Sequence, residues 1–476
     1  FSLVDMLKSS LLRGLRLPEC KKLRRASRSS DASVATTLST VSDLSRRSAD
    51  PTKTVEVRGW VKRSHKTGGM TFAHVSDGLS TETVQVVVPR SVCSSLPLGS
   101  GIVARGLWKE SSGSQQACEL EATEATVMVK DSDPRYSSLT PDQLRKSLPM
   151  RSRSDDFSAL LRMRSRLTMA THRFFQDAKF VHVDTPILTA NDCEGAGETF
   201  VVKLEGAKDD SFFGHDVFLS VSSQLHLEAV TAGISRVYTI ARAFRAEKNQ
   251  SSTHMSEFSM LEIEVSLCES LDEIMDIAES YIRAMARELC STGDASTASG
   301  DAGALGAYSD MARQLFGSLS KMERIPRIRH AEALRVLKEI GHKLPESGAL
   351  SRSAELALVY HFHGPVFVTH FPADQKPFYM KRTEQGETES FDLLCPFVGE
   401  LAGGSLRVST REQLERQCPD GKLPEALKWY AAMRERGKPP SGGFGIGFER
   451  LLQTLLEIRN IKDTTAFPRW FKQCKC

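Results

Sequence analysis

The sequence predicts an α+β fold in which a five-stranded β-barrel precedes a larger domain, built on an antiparallel sheet flanked by helices. Three observations support this class. Five short segments rich in β-branched residues lie between residues 53 and 130, separated by turns. Two more strand-like segments between residues 236 and 266 are joined by a polar connection, and residues 157–180 repeat apolar side chains at helical spacing. Because 476 residues exceed what one core usually fills, we expect two or three domains.

The first 50 residues differ in composition from the rest of the chain. Residues 1–30 contain eight Lys or Arg against two acidic residues, are rich in serine, and repeat apolar side chains at helical spacing. An amphipathic, basic, serine-rich and acid-poor segment is typical of an organellar transit peptide. We therefore predict that residues 1–50 form a disordered leader. The alternative is a disordered basic tail that touches RNA.

The barrel is predicted over residues 51–132, because regularly spaced short strands favour a closed β unit. Its segments read VEVRGWV, MTFAHVSDG, TVQVVVP, GIVARGLW and ACELEATEATVMV. Residues 133–156 are polar and contain prolines and basic residues, which is typical of a hinge linker. The larger domain follows over residues 157–476. Within it we expect a helical insertion at about 267–363, around the low-complexity tract STGDASTASGDAGALGA.

Composition excludes several classes of protein. The ten cysteines show no CxxC pair and no zinc-ligand spacing, which argues against a disulfide framework and a structural metal site. No apolar run approaches the length of a membrane-spanning helix. The net charge of +4 permits a polyanionic partner without demanding one. We expect neither a membrane nor DNA as a partner.

A long hairpin is predicted from Arg236–Arg245 and Glu257–Ser266, with a polar tip between them. Alternation places small side chains on one face of the first strand. The second strand carries repeated carboxylates on the matching face, at Glu262 and Glu264. Carboxylates are costly in a dry core, so we expect this face to be wet and to bear a ligand.

The tip of the hairpin carries the groups that a nucleotide requires. Arg245 offers a planar fork for phosphate, and Phe258 offers a ring on which a base can stack. A carboxylate at Glu247 or Glu257 can accept from an exocyclic amine, and His254 lies in the same segment. A surface hairpin with solvated charges is the alternative.

Three motifs in the chain resemble those of the class II aminoacyl-tRNA synthetases. FRAE, a variable loop and then HxxEF resembles motif 2; GGFGIGFERLL at residues 442–452 resembles motif 3; and FFQDAKFVHVDTPILT at residues 174–189 resembles motif 1. HVSDG followed by VQVVV resembles the N-terminal OB-fold of the Asp, Asn and Lys subgroup. The glycines of the motif 3 segment are not a dinucleotide fingerprint, because no βαβ pattern precedes them and their spacing is not GxGxxG. The resemblance implies an anticodon-binding barrel, a class II catalytic domain and a homodimer formed through motif 1.

The same resemblance assigns roles to individual residues. It implies an ATP site that contains Arg245, Glu247, His254, Glu257, Phe258 and Arg450. Arg450 falls in the first turn of a helix, where the helix dipole favours anions. For the amino acid, it implies that Glu194 and Gln224 hold the α-ammonium and that Arg407 contacts the side chain. This chain has Leu406 and Val408 around Arg407, where the family more often reads GGSQRE.

Two further sets of residues are implied in the same way. Asp392 and Glu400 would hold Mg²⁺, which usually takes one or two carboxylates plus substrate phosphates. Pairing of these two acids with Arg or Lys is the alternative. On the barrel, the implied anticodon-binding residues are Phe72, Gln85, Arg58 and Arg63, which supply an aromatic platform and hydrogen-bond donors. Ordinary barrel core or rim is the alternative for each of them.

The choice among relatives depends on Leu227. Aspartyl enzymes have a lysine in the corresponding QLYK segment, and its charge neutralises the aspartate side chain, whereas this chain reads QLHL. An unpaired carboxylate in a dry pocket costs roughly 3–5 kcal/mol, so a pocket without that cation favours a carboxamide. VSSQLHLE, EGAGE and HMSEFSMLE are closer to the asparaginyl enzymes than to the aspartyl or lysyl enzymes.

The resemblance therefore implies the following function. The chain would activate L-asparagine with ATP to the asparaginyl-adenylate, release pyrophosphate, and transfer asparagine to the 3′ end of tRNA(Asn). An aspartyl-tRNA synthetase or a class II paralogue that does not charge tRNA is the alternative. With the basic leader, the expected location is the mitochondrial matrix, with a plastid or the cytoplasm as alternatives.

Overall fold

The structure, a computed structural model, describes residues 39–113, 116–130, 139–190, 199–205, 212–248, 250–290, 305–418 and 421–474. Glu194 and residues 1–38 of the predicted leader lie outside these ranges. Within them, none of the helices has the length and apolar character that crossing a membrane would require.

The N-terminal part is a closed five-stranded barrel, as predicted, with strand order β1-β2-β3-β5-β4. Its strands are β1 (Asp50–Thr67), β2 (Met70–Ser76), β3 (Val84–Pro89), β4 (Gly101–Glu110) and β5 (Cys118–Val129). Alternate side chains of each strand point inward and form an apolar core around the buried Trp108 and Leu120.

The predicted leader ends too late at residue 50. A five-residue helix, α1 (Val41–Ser45), begins after Thr40, whose side chain accepts from the Asp43 backbone N–H at 3.0 Å. Val41 and Leu44 of this helix are buried in the barrel core. Residues 39–50 are therefore folded as part of the barrel, because the barrel core is completed by two of their apolar side chains.

The described part of the predicted hinge, residues 139–156, includes two short helices. These are α2 (Pro141–Lys146) and α3 (Leu148–Arg151). Arg145 donates through Nε and Nη2 to the two oxygens of Asp463, both at 2.7 Å. Arg151 is buried and donates to the backbone carbonyls of Lys462 at 2.7 Å and Thr465 at 3.0 Å. The segment is thus docked on the C-terminal part of the catalytic domain.

The large domain is built on an eight-stranded sheet of order β12-β13-β14-β15-β16-β11-β10-β6. All neighbouring pairs are antiparallel except the two at the edges, β12 with β13 and β10 with β6. These strands are β6 (Val181–His182), β10 (Arg236–Phe244), β11 (Glu257–Ser266), β12 (Arg327–Arg329), β13 (Val366–Thr369), β14 (Ser390–Cys395), β15 (Gly399–Leu406) and β16 (Ser441–Gly447). The expected α+β architecture is confirmed.

Helices cover one face of this sheet and leave the other for the site. α4 (Asp155–Asp177) and α6 (Leu271–Cys290) pack against the sheet through one continuous apolar cluster with α12 (Phe448–Leu456). The remaining helices are α5 (Gln224–Val230), α7 (Leu305–Lys321), α8 (His330–Glu339), α9 (Arg352–His361), α10 (Arg411–Gln417) and α11 (Lys428–Glu435). A small sheet consists of β7 (Leu188–Thr189), β8 (Val201–Val202) and β9 (Val217–Leu219).

The segment predicted as a helical insertion, about 267–363, is part of the domain's own framework. Its first helix, α6, buries Tyr281 fully in the main core, where the hydroxyl lies 2.9 Å from Thr171 Oγ1 of α4. Its strand β12 extends the eight-stranded sheet. The insertion interpretation is therefore wrong for these elements, because β12 belongs to the main sheet and α6 belongs to its apolar cover. Sequence spacing alone did not reveal this.

Leu44→Ala tests whether α1 belongs to the barrel. The Leu44 side chain is 0% exposed, so truncation should lower the free energy of unfolding by about 2–4 kcal/mol through lost burial and a cavity. Leu79→Ala, at a side chain that is 64% exposed, is the matched control and should change it by less than about 0.5 kcal/mol. Urea unfolding of both variants measures the difference. If the two variants are equally stable, residues 39–50 do not contribute to the barrel core and belong to the leader instead.

Candidate nucleotide and amino-acid site

A cavity of about 360 Å³ lies on the open face of the sheet, over β11, β14, β15 and β16. Five of the six predicted ATP-site residues line it, namely Arg245, Glu247, His254, Phe258 and Arg450. Glu257 does not line it; its carboxylate lies 3.9 Å from Arg242 Nε on the outer side of the hairpin. The structure thus brings most of the predicted nucleotide residues together around one concave space.

A second, larger cavity of about 590 Å³ lies between the linker helices, α4 and the end of α12. Its wall mixes Arg153 and Arg459 with Asp155, Asp156 and Glu457. No predicted site residue lines it, so size alone does not identify the site.

The hairpin has the predicted strands and register. Thr239 pairs with Glu262, Ala241 with Met260, and Ala243 with Phe258. Small side chains on β10 therefore lie opposite the larger ones on β11. At the tip, Arg245 Cζ lies 5.6 Å from the centre of the Phe258 ring. A guanidinium beside an aromatic face gives a base and a phosphate adjacent places to bind.

The carboxylates on β11 are buried, although Phe258, Met260 and Glu262 of the same face line the cavity. The face therefore borders the expected ligand space, but its carboxylates are not solvated. Glu262 accepts from the Ser223 backbone N–H at 2.8 Å and from the Ser222 hydroxyl, and burial raises the pKa of Glu262 above its ordinary value. Glu264 accepts from Arg407 Nη2 at 2.8 Å and from Ser441 Oγ at 2.9 Å. These carboxylates are tolerated because each has partners.

The loop between the two strands is fixed at its far end. His254 Nδ1 lies 2.5 Å from Ser251 Oγ, and its Nε2 lies 3.9 Å from Glu247 Oε2. Burial and the nearby Arg450 lower the pKa of His254, so the imidazole is neutral at pH 7. From the C-terminal segment, Lys462 Nζ donates to the Ser251 carbonyl at 2.8 Å.

The motif 3 segment supplies the floor and one wall of the cavity. β16 pairs with β11 and β15 and leads directly into α12, so Arg450 lies in the first turn of that helix. Arg450 Nη1 donates to the Glu400 carbonyl at 3.1 Å and lies 3.6 Å from Glu400 Oε2. Glu449 is buried and accepts from the Ser259 backbone N–H at 2.9 Å.

The two carboxylates predicted to bind a metal converge above Gly403. Glu400 Oε1 and Asp392 Oδ1 lie 3.4 and 3.5 Å from the position that a Cβ would occupy at Gly403. Burial, aided by the Glu400 charge and opposed by Lys376, raises the pKa of Asp392 to about 6. Lys376 Nζ donates to both Asp392 oxygens, at 2.7 and 2.8 Å.

The donor set fits a hard divalent cation that is shared with a substrate. Within the described ranges, no three His, Cys, Asp or Glu side chains form a metal site by themselves. Two convergent carboxylates with room for phosphate oxygens and water match the requirement of Mg²⁺. A third carboxylate, Glu355, accepts from the Glu400 backbone N–H at 2.9 Å, and burial raises its pKa to about 7.

A buried cluster of charges lies behind the cavity, and most of it was missed from the sequence. Arg407 donates to Glu264, and its Nε lies 3.9 Å from Glu228 Oε1. Glu228 is fully buried and accepts from Tyr430 at 2.7 Å. Arg434 Nη2 and Lys438 Nζ lie 3.3 and 3.4 Å from Glu228 Oε2. The only signal in the sequence was spacing, since Gln224 and Glu228, and Tyr430 and Arg434, stand four residues apart on helices.

The predicted amino-acid residues are only partly brought together. Gln224 lines the cavity and donates through Nε2 to Glu228 Oε1 at 3.1 Å. Leu227 is 0% exposed and does not line the cavity, and Arg407 lies behind the lining. Three cations, Arg407, Arg434 and Lys438, lie in the buried cluster behind the cavity and do not line it. Glu194 lies outside the described residues.

The predicted anticodon residues are distributed over the barrel. Phe72 lies across from His65, with ring centres 5.0 Å apart and planes 6° from parallel. Gln85 Nε2 donates to Glu119 Oε2 at 2.7 Å. Arg63 on β1 pairs with His74 on β2, and His74 pairs with Gln85 on β3, so Arg63 and Gln85 belong to the same row of the sheet.

Arg58 lies elsewhere on the barrel. It pairs with Val103 on β4, and its Nε lies 2.5 Å from Glu56 Oε1. The structure therefore groups Phe72, Gln85 and Arg63 and leaves Arg58 apart.

Comparisons with known proteins give a consistent assignment. The family profile described as "tRNA synthetases class II (D, K and N)" matches residues 142–471. An asparaginyl-tRNA synthetase of Mus musculus is 38% identical over 448 residues, which is 88% of this chain and 91% of the relative. A probable mitochondrial asparagine–tRNA ligase of Dictyostelium discoideum is 35% identical over 441 residues, covering 89% of this chain and 94% of the relative.

The solved structures agree with these relatives. Asparaginyl-tRNA synthetase from Pyrococcus horikoshii, complexed with asparaginyl-adenylate, superposes with a TM-score of 0.79 at 25% identity, covering 92% of this chain and 99% of that chain. Because the class II profile spans most of the catalytic domain and the curated relatives match nearly end to end, the chain belongs to the class II tRNA synthetases of the D, K and N group, within the asparaginyl-tRNA synthetase family.

Proposed function

We propose that this chain ligates L-asparagine to tRNA(Asn) in two steps, through an asparaginyl-adenylate made from ATP with release of pyrophosphate. One observation carries the proposal: Arg245, Phe258 and Arg450 line the same cavity as Gln224, whose Nε2 donates to Glu228 of the buried charge cluster behind the lining. The first three side chains suit a nucleotide, and the cluster that contains Glu228 and Arg407 suits an amide side chain. The similar Pyrococcus horikoshii structure, which is complexed with asparaginyl-adenylate, supports the proposed reaction.

The reaction needs positioning and charge neutralisation more than acid–base chemistry. The asparagine carboxylate attacks the α-phosphorus of ATP, and negative charge grows on the phosphate oxygens as pyrophosphate leaves. Arg245 and Arg450 both line the cavity and supply donors for that charge. Phe258 offers its ring to the adenine, and Gln224 presents its carboxamide to the α-ammonium.

Magnesium fits this arrangement at Asp392 and Glu400. When bound, it would neutralise charge on the phosphate oxygens as a Lewis acid. The protein's part is to keep the two carboxylates convergent above Gly403, which has no side chain to fill the space between them.

Selectivity for the amide is best explained by Glu228 rather than by Leu227. Burial opposes ionisation of Glu228, but Lys438, Arg434 and Arg407 lower its pKa below the ordinary value. An ionised carboxylate only accepts hydrogen bonds. A carboxamide can donate to Glu228 and accept from Arg407, whereas a substrate carboxylate has no hydrogen to donate to Glu228.

We propose that the barrel binds the anticodon through Phe72, Gln85 and Arg63. Single-stranded bases are recognised by stacking and by amide donors, and these three side chains lie on adjacent strands of one face. Glu119 accepts from the Gln85 amide nitrogen and so fixes the orientation of that amide. The side-chain carbonyl oxygen of Gln85 is then presented to an incoming base.

We also propose a homodimer and an organellar location. Met169 of α4 and Val181 of the edge strand β6 are 58% and 47% exposed, and both lie in or beside the motif 1 segment. Exposed apolar side chains on and near the edge strand of a sheet favour association. Sedimentation of the full chain tests the dimer. The basic leader and the mitochondrial relative of Dictyostelium discoideum support the location, which a reporter fused to residues 1–50 would test.

Pyrophosphate exchange tests the proposed function. The chain should support exchange with asparagine and ATP, and far less with aspartate. Arg245→Ala should reduce exchange by about 100-fold or more, because a donor to developing charge is lost. Arg242→Ala is the control, since Arg242 lies three residues earlier on β10, is 46% exposed and does not line the cavity. Exchange driven equally by aspartate would favour the aspartyl alternative, and exchange without tRNA charging would favour the paralogue.

Glu228→Gln tests the origin of the amide preference. A glutamine at this position can donate as well as accept, so the asparagine-to-aspartate ratio of kcat/KM should fall by about tenfold or more. Glu279→Gln is the control, because Glu279 is also a buried carboxylate but binds Arg283 on α6, away from the cavity. A ratio that stays at the wild-type value in a folded E228Q variant would remove Glu228 from the specificity argument.

Phe72→Ala tests the anticodon surface separately from the catalytic site. Loss of one base-stacking platform costs about 1–3 kcal/mol, so KM for tRNA should rise by about tenfold while asparagine-dependent exchange stays unchanged. Leu79→Ala removes an exposed apolar side chain of the same barrel and serves as the control. An unchanged KM for F72A would show that the bases bind elsewhere.

A further inference from the structure

Both carboxylates of the metal pair are held by basic side chains that line the same cavity. Lys376 Nζ lies 2.7 and 2.8 Å from the two oxygens of Asp392, and Arg450 Nη1 lies 3.6 Å from Glu400 Oε2. Arg450 belongs to motif 3 and already has a proposed role at the nucleotide. Lys376 has none in the account above, although it borders the same space as Arg245 and His254.

The position of Lys376 allows its ammonium to move within the cavity. The residue follows a short 3₁₀ turn, Ala373–Gln375, in extended conformation, and its side chain is 15% exposed. Its Nζ also lies 3.9 Å from the centre of the Phe371 ring. A lysine ammonium is a point charge on a four-carbon stem, so rotation about side-chain bonds can redirect it without a backbone change.

Lysine and a divalent cation compete for the same oxygens. Both oxygens of Asp392 are used by Lys376, yet a hard cation bound there needs at least one of them. Binding of a metal–nucleotide complex must therefore weaken or break the contact between Lys376 and Asp392. The displaced ammonium then lies in a cavity that contains a triphosphate, which is a strong acceptor for it.

We propose that Lys376 is a phosphate-binding residue of the nucleotide site, held on Asp392 in the ligand-free chain and transferred to the nucleotide phosphates when the metal binds. The proposal rests on the adenylation reaction inferred above and adds a residue to it. In the ligand-free chain Lys376 neutralises Asp392. After the metal binds, the same ammonium places a positive charge beside the phosphates, where negative charge develops.

Lys376→Met separates this role from structural support, with Lys381→Met as the matched control. Lys381 lies five residues along the same segment, does not line the cavity, and pairs with Glu389 at 2.6 Å. Paramagnetic resonance of Mn²⁺ with the chain, in the absence of ATP, measures the metal site directly. K376M should bind Mn²⁺ about tenfold more tightly than wild type, because the competing cation is gone. Asparagine-dependent exchange should fall by about 100-fold.

In K376M, a rise in Mn²⁺ affinity together with a fall in pyrophosphate exchange is expected only if Lys376 both competes with the metal for Asp392 and binds the nucleotide phosphates. K381M should leave both at the wild-type level, and K376R, which keeps the charge, should keep weak Mn²⁺ binding and recover part of the exchange. Reduced Mn²⁺ affinity together with reduced exchange in K376M would show a structural role and overturn the proposal. Exchange equal to that of K381M would also overturn it. If the wild-type chain shows no asparagine-dependent exchange, the proposed function fails instead, and the Mn²⁺ titration still reports on Lys376 and Asp392.

Discussion

The ion pair between Glu264 and Arg407 is the interaction on which the site depends. Both side chains are almost fully buried, and Arg407 Nη2 lies 2.8 Å from Glu264 Oε2. Burial opposes the charge on Arg407, but the Glu264 carboxylate raises its pKa above the ordinary value. Removing either partner would strand a charge in the sheet at a cost of about 3–5 kcal/mol. With Ser441 as a third member, the pair links β11, the end of β15 and β16, which are adjacent strands of the cavity floor.

This pair also explains why motif 3 is rich in glycine. A Cβ at Gly443 would lie 2.1 Å from the Ile263 carbonyl, 2.3 Å from Glu264 Oε2 and 3.0 Å from Arg407 Nη2. No side chain fits there unless the ion pair or the strand pairing moves. Further along β16, Gly445 and Gly447 border the cavity and keep its floor flat. The missing side chains thus leave space for the buried ion pair and for a ligand on the sheet. In a dinucleotide-binding turn, by contrast, glycines allow a tight turn around a pyrophosphate.

The parts of the fold that could be predicted were those with a repeated local pattern. The barrel strands and the hairpin alternate over many residues, so their existence and facing were readable. The helix Val41–Ser45 is too short to show a period, and its burial depends on a barrel formed by later residues. β12 has three residues and joins the sheet through β13, almost forty residues further along the chain. Such long-range pairings leave no local trace.

The site residues divide along the same line. Motif resemblance located Arg245, Phe258 and Arg450, which the fold brings to one cavity. It pointed to Leu227, although the neighbouring Glu228 faces Arg407, because one step along a helix turns the side chain by about 100°. Lys376 and Asp392 meet because the segment after Ala373–Gln375 brings the lysine to the face of β14 that carries Asp392.

The charge cluster gives the amide preference a firmer physical basis than a missing cation would. The absence of a lysine only removes a favourable interaction with a substrate carboxylate, and water in the pocket could solvate that carboxylate instead. A buried carboxylate held ionised by Arg434 and Lys438 can instead only accept hydrogen bonds, so it favours a substrate group that can donate over one that cannot. Sites that hydrogen-bond a substrate group reject analogues more strongly than apolar sites do, since the buried partner is left unpaired. If Glu228 has the proposed role, discrimination depends on how firmly it is kept ionised, which Arg434 of α11 and Lys438 of the loop after it help to set.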